Sequence, residues 1–200
     1  MNAARGDVLD FWFAGAVHSA DALRARNRVW FAKDPAFDRS ITERFGALVE
    51  AARQGELDQW TQTPSGMLAL SILLDQFPRN LYRDDARAFA GDEKAQAIAV
   101  AAIARGDDRS LPPVERVFCY LPLEHAEHIG LQDRCVALFE GLLAHASMDM
   151  HDSFENFLDY ARKHREVIAR FGRFPHRNAA LARKSTPDEL EYLAKPGTTF

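Results

Sequence analysis

Apolar residues recur every three or four positions along most of the chain, a spacing that places them on one face of an α-helix. The clearest helix starts at Asp34-Pro35, where Asp is a favourable N-cap and Pro fits the first turn, and it stops at Gly55. No segment alternates apolar and polar residues with β-branched enrichment, so no strand is predicted. The other predicted helices lie near 7–14, 21–33, 64–77, 92–105, 113–120, 123–145, 153–171, 176–183 and 187–194.

The connections between these helices are short and marked by Pro or Gly, which favours antiparallel helix pairs. No linker or break in composition divides the chain, so a single all-helical domain over 1–200 is predicted. No repeat near 34 residues is visible, and self-similarity therefore gives no sign of a solenoid. The expected fold class is all-α, an array of roughly eight or nine helices without a sheet.

The helix near 64–77 is apolar on every side, which is typical of a central, buried helix. Its only charged residue is Asp75 in the last turn, where a carboxylate is unfavourable against the helix dipole and costly to bury unpaired. We therefore predict that Asp75 is a buried acceptor for backbone N–H groups or for an arginine such as Arg79, Arg83 or Arg177. A structural ion pair is the leading interpretation, and a ligand contact is the alternative.

The densest cluster of titratable residues surrounds Pro122. This proline is expected to end one helix and to leave Leu123–Glu127 in the first turn of the next. The apolar stripe of that next helix, extended backwards, turns Glu124 and His128 toward the core. His125 and His128 are three residues apart and could instead share one face.

His164 lies on the apolar face of the helix near 153–171, where a histidine is more often a hydrogen-bonded core residue than a ligand. No metal site is predicted, because the sequence contains neither a repeated Glu-x-x-His pattern nor His-Glu-x-x-His. No cofactor is predicted either, since phosphate-cradling glycine loops and the Gly-x-Ser-x-Gly motif of acyl-transfer enzymes are absent.

The formal net charge of the 200-residue chain is -4, which excludes an overall polybasic nucleic-acid-binding protein. The charge is unevenly distributed, because Ala161–Lys184 carries +7 and the rest of the chain -11. That segment is either a solvated basic face that offsets acidic neighbours or an anion site in which arginines bind carboxylate or phosphate. RNA binding is disfavoured, because the apolar residues among these charges fit helix packing better than base stacking.

The cellular compartment is predicted from features that the sequence lacks. Cys119 and Cys135 cannot form a disulfide framework and do not have the spacing of a zinc site. The first residues contain no apolar stretch typical of a signal peptide, and no apolar run is long enough to span a bilayer. A reduced, cytoplasmic protein without membrane partners is therefore expected.

Several short motifs along the chain are similar to those of a known family. They are Asp10-Phe11-Trp12-Phe13, Leu74-Asp75-Gln76-Phe77-Pro78-Arg79-Asn80, Tyr120-Leu121-Pro122-Leu123-Glu124-His125, Phe171-Gly172-Arg173-Phe174-Pro175-His176-Arg177-Asn178 and Arg183-Lys184-Ser185-Thr186. Together they resemble the bacterial family named domain of unknown function 924. This resemblance implies an all-helical, tetratricopeptide-like fold and no established activity. The chain departs from the family pattern at Ala182-Arg183-Lys184, where the family usually has Gly-Arg.

The polar residues of these motifs lie at helix ends beside large apolar residues, and helix ends can converge in one cleft. Our leading hypothesis is a cleft that binds a small anionic ligand, with hydrolysis or transfer on a phosphate or carboxylate ester as the reaction class if the protein is an enzyme. The alternatives are a module that clamps a peptide segment, and a purely architectural polar network. The predicted catalytic residues are Glu124, His125 and His164, and the predicted ligand-binding residues are Asp75, Arg79, Asn80, Arg173, His176, Arg177 and Asn178.

Overall fold

The structure is a computed structural model that describes residues 2–198. These residues form α-helices joined by short turns, and the described part of the chain contains no strand, so the all-α prediction is confirmed. The tetratricopeptide-like arrangement and the single domain stay predictions. The α-helices are α1 (Asn2–Phe13), α2 (Ala20–Trp30), α3 (Pro35–Gln54), α4 (Pro64–Ser71), α5 (Phe77–Leu81), α6 (Asp92–Arg105), α7 (Pro113–Glu124), α8 (Ile129–Ala144), α9 (His151–Phe171) and α10 (Pro187–Leu193).

The ends of α3 follow the expected chemistry. The Asp34 side chain accepts hydrogen bonds from the backbone N–H groups of Ala36 and Phe37, at 2.8 and 3.2 Å. Gly55 ends the helix with φ +86°, a left-handed conformation that glycine adopts without a Cβ penalty. Within the residues that the structure describes, no helix combines the length and apolar character needed to cross a membrane.

The core is centred on α4 and α5, where every residue from 66 to 78 is buried. One contiguous group of buried apolar side chains extends from Val8 in α1 to Ala161 in α9. The Trp12 ring packs edge-on against the rings of Phe77 and Phe118, at 5.4 and 5.6 Å between centroids. This packing confirms that the segment near 64–77 is central.

A π-helical turn over Ile72–Gln76 joins α4 to α5. Within it the N–H of Phe77 reaches the carbonyl of Ile72, five residues back, so the turn holds one extra residue. Pro78 has no N–H to donate to the Leu74 carbonyl, and the wider turn accommodates this missing bond. The end predicted for the helix near 64–77 is therefore wrong, because the chain stays helical through Pro78 to Leu81.

Two further helix boundaries differ from the sequence predictions. Pro122 lies inside α7, which continues to Glu124 although the proline has no N–H to donate to the Phe118 carbonyl. The next helix begins later, at Ile129, and the exposed His128 caps it by accepting from the N–H of Leu131. His128 therefore does not face the core, and it does not share a face with His125.

The predicted helix near 176–183 is also absent. A short 3-10 turn, Pro175–Arg177, is followed by turns in which Ala182 has φ +53°. Local bonds replace a regular helix here: the Asn178 side chain accepts from the Arg183 guanidinium at 3.0 Å, and the Asn178 backbone carbonyl accepts from the Arg183 N–H at 2.8 Å. Such local polar bonds compete with helix formation.

Candidate functional site

Asp75 is placed by the π-helical turn beside the end of α7. One of its carboxylate oxygens lies 2.7 Å from Nδ1 of His125 and 3.1 Å from the Arg79 guanidinium, and Gln76 donates to the other oxygen. The side chain is 1% exposed, so these donors replace water. Burial alone would raise the pKa of Asp75, but the charges of Arg79 and His125 lower it far below its ordinary value of 3.8. The predicted buried carboxylate with an arginine partner is confirmed.

A second buried carboxylate, Asp92 at the start of α6, holds two arginines. Arg79 binds it in a bidentate manner, with both N–O distances at 3.0 Å, and Arg177 donates to it at 3.1 Å. The Arg177 guanidinium also lies against the rings of Phe89 and Phe174, at 4.8 and 4.4 Å from their centroids. Burial, followed by the charge of Arg79, lowers the pKa of Arg177 to about 10, so the side chain remains a cation at neutral pH.

Glu124 and His164 form the deepest part of the site. Nδ1 of His164 lies 2.8 Å from the carbonyl oxygen of Tyr160 and 3.2 Å from a Glu124 carboxylate oxygen. Burial, and then the nearby charge of Asp75, raises the pKa of Glu124 to about 8. Burial, and then the neighbouring His125, lowers the pKa of His164 well below its ordinary value. The predicted core location of His164 is confirmed.

The site extends from the buried Glu124 and His164 to the protein surface. The ring of His125 lies 6.0 Å from that of His164, centroid to centroid, and its side chain is 14% exposed. Arg79 is 22% exposed, and His176, beside the ring of Phe174, is half-buried. Burial and the charge of Arg177 lower the pKa of His176 to about 3. We call the set of charged and titratable residues gathered here the polar network. Its members are Asp75, Arg79, Asp92, Glu124, His125, His164, His176 and Arg177.

Seven of the ten predicted site residues are in the polar network, and three are not. Asn80 donates to Asp38 at 2.9 Å, in a separate group that also contains Arg83. Arg173 and Asn178 both donate to Glu189 instead. These three residues make polar contacts away from the His125 end of the site.

Sequence reasoning missed two residues that shape the site. Asp92 follows a glycine at the start of α6. An acidic residue is typical of any helix N-terminus, so nothing in the sequence indicates that Asp92 pairs with Arg79 and Arg177. Phe89 lies in a short 3-10 turn outside every predicted helix. Both reach the site only because the turn before α6 packs against the π-helical turn.

The basic segment near the C-terminus is largely neutralised by acidic residues elsewhere in the fold. Arg162, Lys163 and Arg165 form surface ion pairs, for example Arg165 with Asp133 at 2.6 Å. Glu127 accepts from the Phe174 backbone N–H at 2.8 Å and from the Arg183 guanidinium at 2.6 Å, so it anchors the chain on both sides of Arg177. These contacts support the interpretation that the segment is a basic face whose charges offset acidic neighbours. Arg177 differs from the other basic residues of the segment because it is buried.

Glu189 fixes the other end of this segment, because it accepts from Arg173 and completes the capping box with Thr186. Hydrogen bonding to Arg173 lowers the pKa of Glu189 from 4.5 to about 2, despite the opposing effect of burial. Its stabilising contribution is therefore complete above about pH 4.5 and is lost as the pH falls through about 2.

In urea unfolding series, we expect Glu189→Gln to be less stable than wild type at pH 7. The difference should shrink below about pH 4.5, and a pH-independent difference would contradict this assignment.

Comparison with known proteins agrees with the short motifs along the chain. The profile of a bacterial protein family of unknown function (DUF924) matches residues 8–197. The solved structure of the protein of unknown function ATU0120 from Agrobacterium tumefaciens is 40% identical, with a TM-score of 0.80. That match covers 96% of this chain and 97% of the other. A search of the curated proteins gives no match. The chain therefore belongs to the DUF924 family of bacterial proteins of unknown function.

Proposed function

We propose that the protein binds a small anionic ligand, a phosphate or a carboxylate, at the polar network. The observation that carries the proposal is the unused hydrogen-bonding capacity of Arg177. A guanidinium offers five N–H donors, yet among the described residues Arg177 donates one hydrogen bond, to Asp92. Its Nε is buried and has no hydrogen-bond partner in the described chain. Buried donors are nearly always satisfied, so an acceptor supplied from outside the protein fits this position.

The surroundings of Arg177 favour an anion as that acceptor. The flanking rings of Phe89 and Phe174 hold the guanidinium plane in one orientation, so its remaining donors are preorganised. Arg79 brings a second cation to the same carboxylate, Asp92, and it is partly exposed. Phosphate and carboxylate oxygens suit the planar fork of arginine, which binds them in a bidentate manner.

The predicted catalytic residues belong to the same polar network as this donor, and the charge of Arg177 acts on both His125 and His164. His125 is held in orientation by Asp75, and its ring lies beside that of His164, which contacts Glu124. This neighbourhood supports hydrolysis or transfer on a phosphate or carboxylate ester as the reaction class. Asn80, Arg173 and Asn178 are left out of the proposed ligand set, because their contacts are local and lie elsewhere.

The proposal is tested by isothermal titration of the protein with inorganic phosphate. We expect Arg177→Ala to bind phosphate at least about tenfold more weakly than wild type, since a hydrogen bond to a charged group is worth about 1.5–3 kcal/mol. Asp92 keeps its bidentate bond to Arg79 in this variant, so the carboxylate is not left unpaired. Circular dichroism and thermal unfolding would establish that the variant is folded.

Arg165→Ala is the matched control, because it removes one positive charge from an exposed ion pair in the same basic segment. It should bind phosphate as wild type does. Arg177→Lys keeps the charge but loses the planar fork, and it should give an intermediate affinity. Equal phosphate affinities for wild type and Arg177→Ala, or no phosphate binding by wild type, would contradict the proposal.

A further inference from the structure

A different set of side chains within the polar network has the composition of a metal site. Glu124, His125 and His164 each offer one ligand atom, and these atoms all lie within 4.8 Å of one another. We propose that these three residues bind a divalent first-row transition metal ion such as Zn²⁺. This inference goes beyond the proposed anion binding and does not depend on it, because none of the three residues is the donor on which that proposal is based.

The donor set suits such an ion. Two imidazoles and one carboxylate are the protein ligands of many catalytic zinc sites and of non-haem iron sites. Three protein ligands leave at least one coordination position for water or a substrate. Glu124 and His164 are buried and His125 is partly exposed, so the open side would face the surface.

The contacts of the two histidines support the proposal independently of their proximity. Nδ1 of His125 is bonded to the Asp75 carboxylate at 2.7 Å, and Nδ1 of His164 to the Tyr160 carbonyl at 2.8 Å. Carbonyl and carboxylate oxygens accept, so Nδ1 carries the proton in each ring and the lone pair of the neutral ring is on Nε2. Metal-binding histidines nearly always donate their other N–H to a carboxylate or a backbone carbonyl, as both do here.

Binding of the ion requires the ligand side chains to adjust. Zinc holds nitrogen and oxygen ligands at about 2.0–2.2 Å, so the three ligand atoms must move closer together than their present spacing. The Glu124 carboxylate, now 3.2 Å from Nδ1 of His164, would turn toward the ion. The nearby charges do not oppose binding of a cation, since the negative charges of Asp75 and Asp92 offset the positive charges of Arg79 and Arg177.

A second group of side chains could also offer metal ligands, but it differs from the proposed site in its exposure to solvent. His151, Asp152 and Glu155 also bring their ligand atoms together at the start of α9, but Asp152 and Glu155 are exposed. We therefore assign no metal to it, and it provides a control within the same chain.

The experiment uses Co²⁺ as the probe, because its visible absorption reports the ligands directly, with Zn²⁺ as a competitor. The chelator-treated full chain is titrated in phosphate-free buffer, so the result is independent of the anion test. We expect one Co²⁺ per chain, displaced by Zn²⁺. His125→Ala and His164→Gln should each weaken binding by more than the roughly 10–100-fold that loss of an outer-shell partner costs. His151→Ala should leave affinity and spectrum unchanged.

His125→Ala is the decisive variant, because His125 is the partly exposed ligand and its removal disturbs the core least. Circular dichroism would verify its fold, and Glu124→Gln gives a second variant of nearly unchanged volume. The proposal is overturned if wild type shows no stoichiometric Co²⁺ binding, or if folded His125→Ala and Glu124→Gln bind as tightly as wild type. It is equally overturned if the affinity is lost in His151→Ala.

Discussion

Replacing Asp75 by alanine is expected to lower the free energy of unfolding by about 3–5 kcal/mol, the cost of removing one partner from a buried, hydrogen-bonded ion pair. The side chain is 1% exposed and accepts from Arg79, His125 and Gln76. Without it, donors of three side chains lose their acceptor in a place that water does not fill. Arg79 keeps its bonds to Asp92, which favours the lower end of this range. Urea or guanidinium unfolding at pH 7 measures the change.

The exposed ion pair between Lys163 and Asp159 provides the control for this prediction. It lies on the surface of α9 with an N–O distance of 2.6 Å, and both side chains are at least half exposed. Asp159→Ala should change the stability by no more than about 1 kcal/mol, because exposed pairs contribute little. Similar small losses in Asp75→Ala and Asp159→Ala would show that the buried carboxylate does not organise the site.

Gly91→Ala is expected to destabilise the protein by about 1–3 kcal/mol, although the backbone of Gly91 is right-handed and accepts alanine. The cost is steric. An added Cβ would overlap the Leu74 carbonyl oxygen and would lie 3.1 Å from the Leu74 carbonyl carbon. These are backbone atoms of the π-helical turn, so they cannot rotate away as a side chain does. Denaturant unfolding measures the loss.

Gly91→Ala should also weaken phosphate binding, because it displaces the neighbouring Asp92, which holds Arg79 and Arg177. Gly141→Ala is the matched control, since Gly141 lies within α8 and an added Cβ there meets nothing within 4 Å. That substitution should stabilise the protein by about 0.5–1 kcal/mol through helix propensity. A stabilising Gly91→Ala would contradict the close packing of α6 on the π-helical turn.

The π-helical turn connects these two predictions. It holds Asp75 toward His125 on one side, and on the other its Leu74 carbonyl lies against Gly91. π-helical turns occur often at functional sites, because an extra residue changes the direction in which side chains project. Its position agrees with the proposed anion and metal sites, which both lie next to Asp75.

Local sequence chemistry was sufficient to predict most helices of the fold. The cap at Asp34 and the apolar stripe through His164 depend on near neighbours along the chain, and both are confirmed. The prolines were misinterpreted, since the chain continues in a helix through both Pro78 and Pro122. An internal proline removes one backbone hydrogen bond from a helix, and whether the helix continues depends on how the surrounding structure compensates for that loss.

The sequence by itself determined the all-α class, the buried position of Asp75 and its need for a cationic partner, because periodicity and the cost of burying a charge are local properties. Only the tertiary structure decided which partners meet. Asp75 and His125 are 50 positions apart, and Asp92 and Arg177 are 85 apart. Helical spacing carries no information about contacts over such separations. They arise from the packing of the turn before α6 and of the C-terminal segment against the central helix, and this packing also joins Glu124, His125 and His164 into one set of ligand atoms.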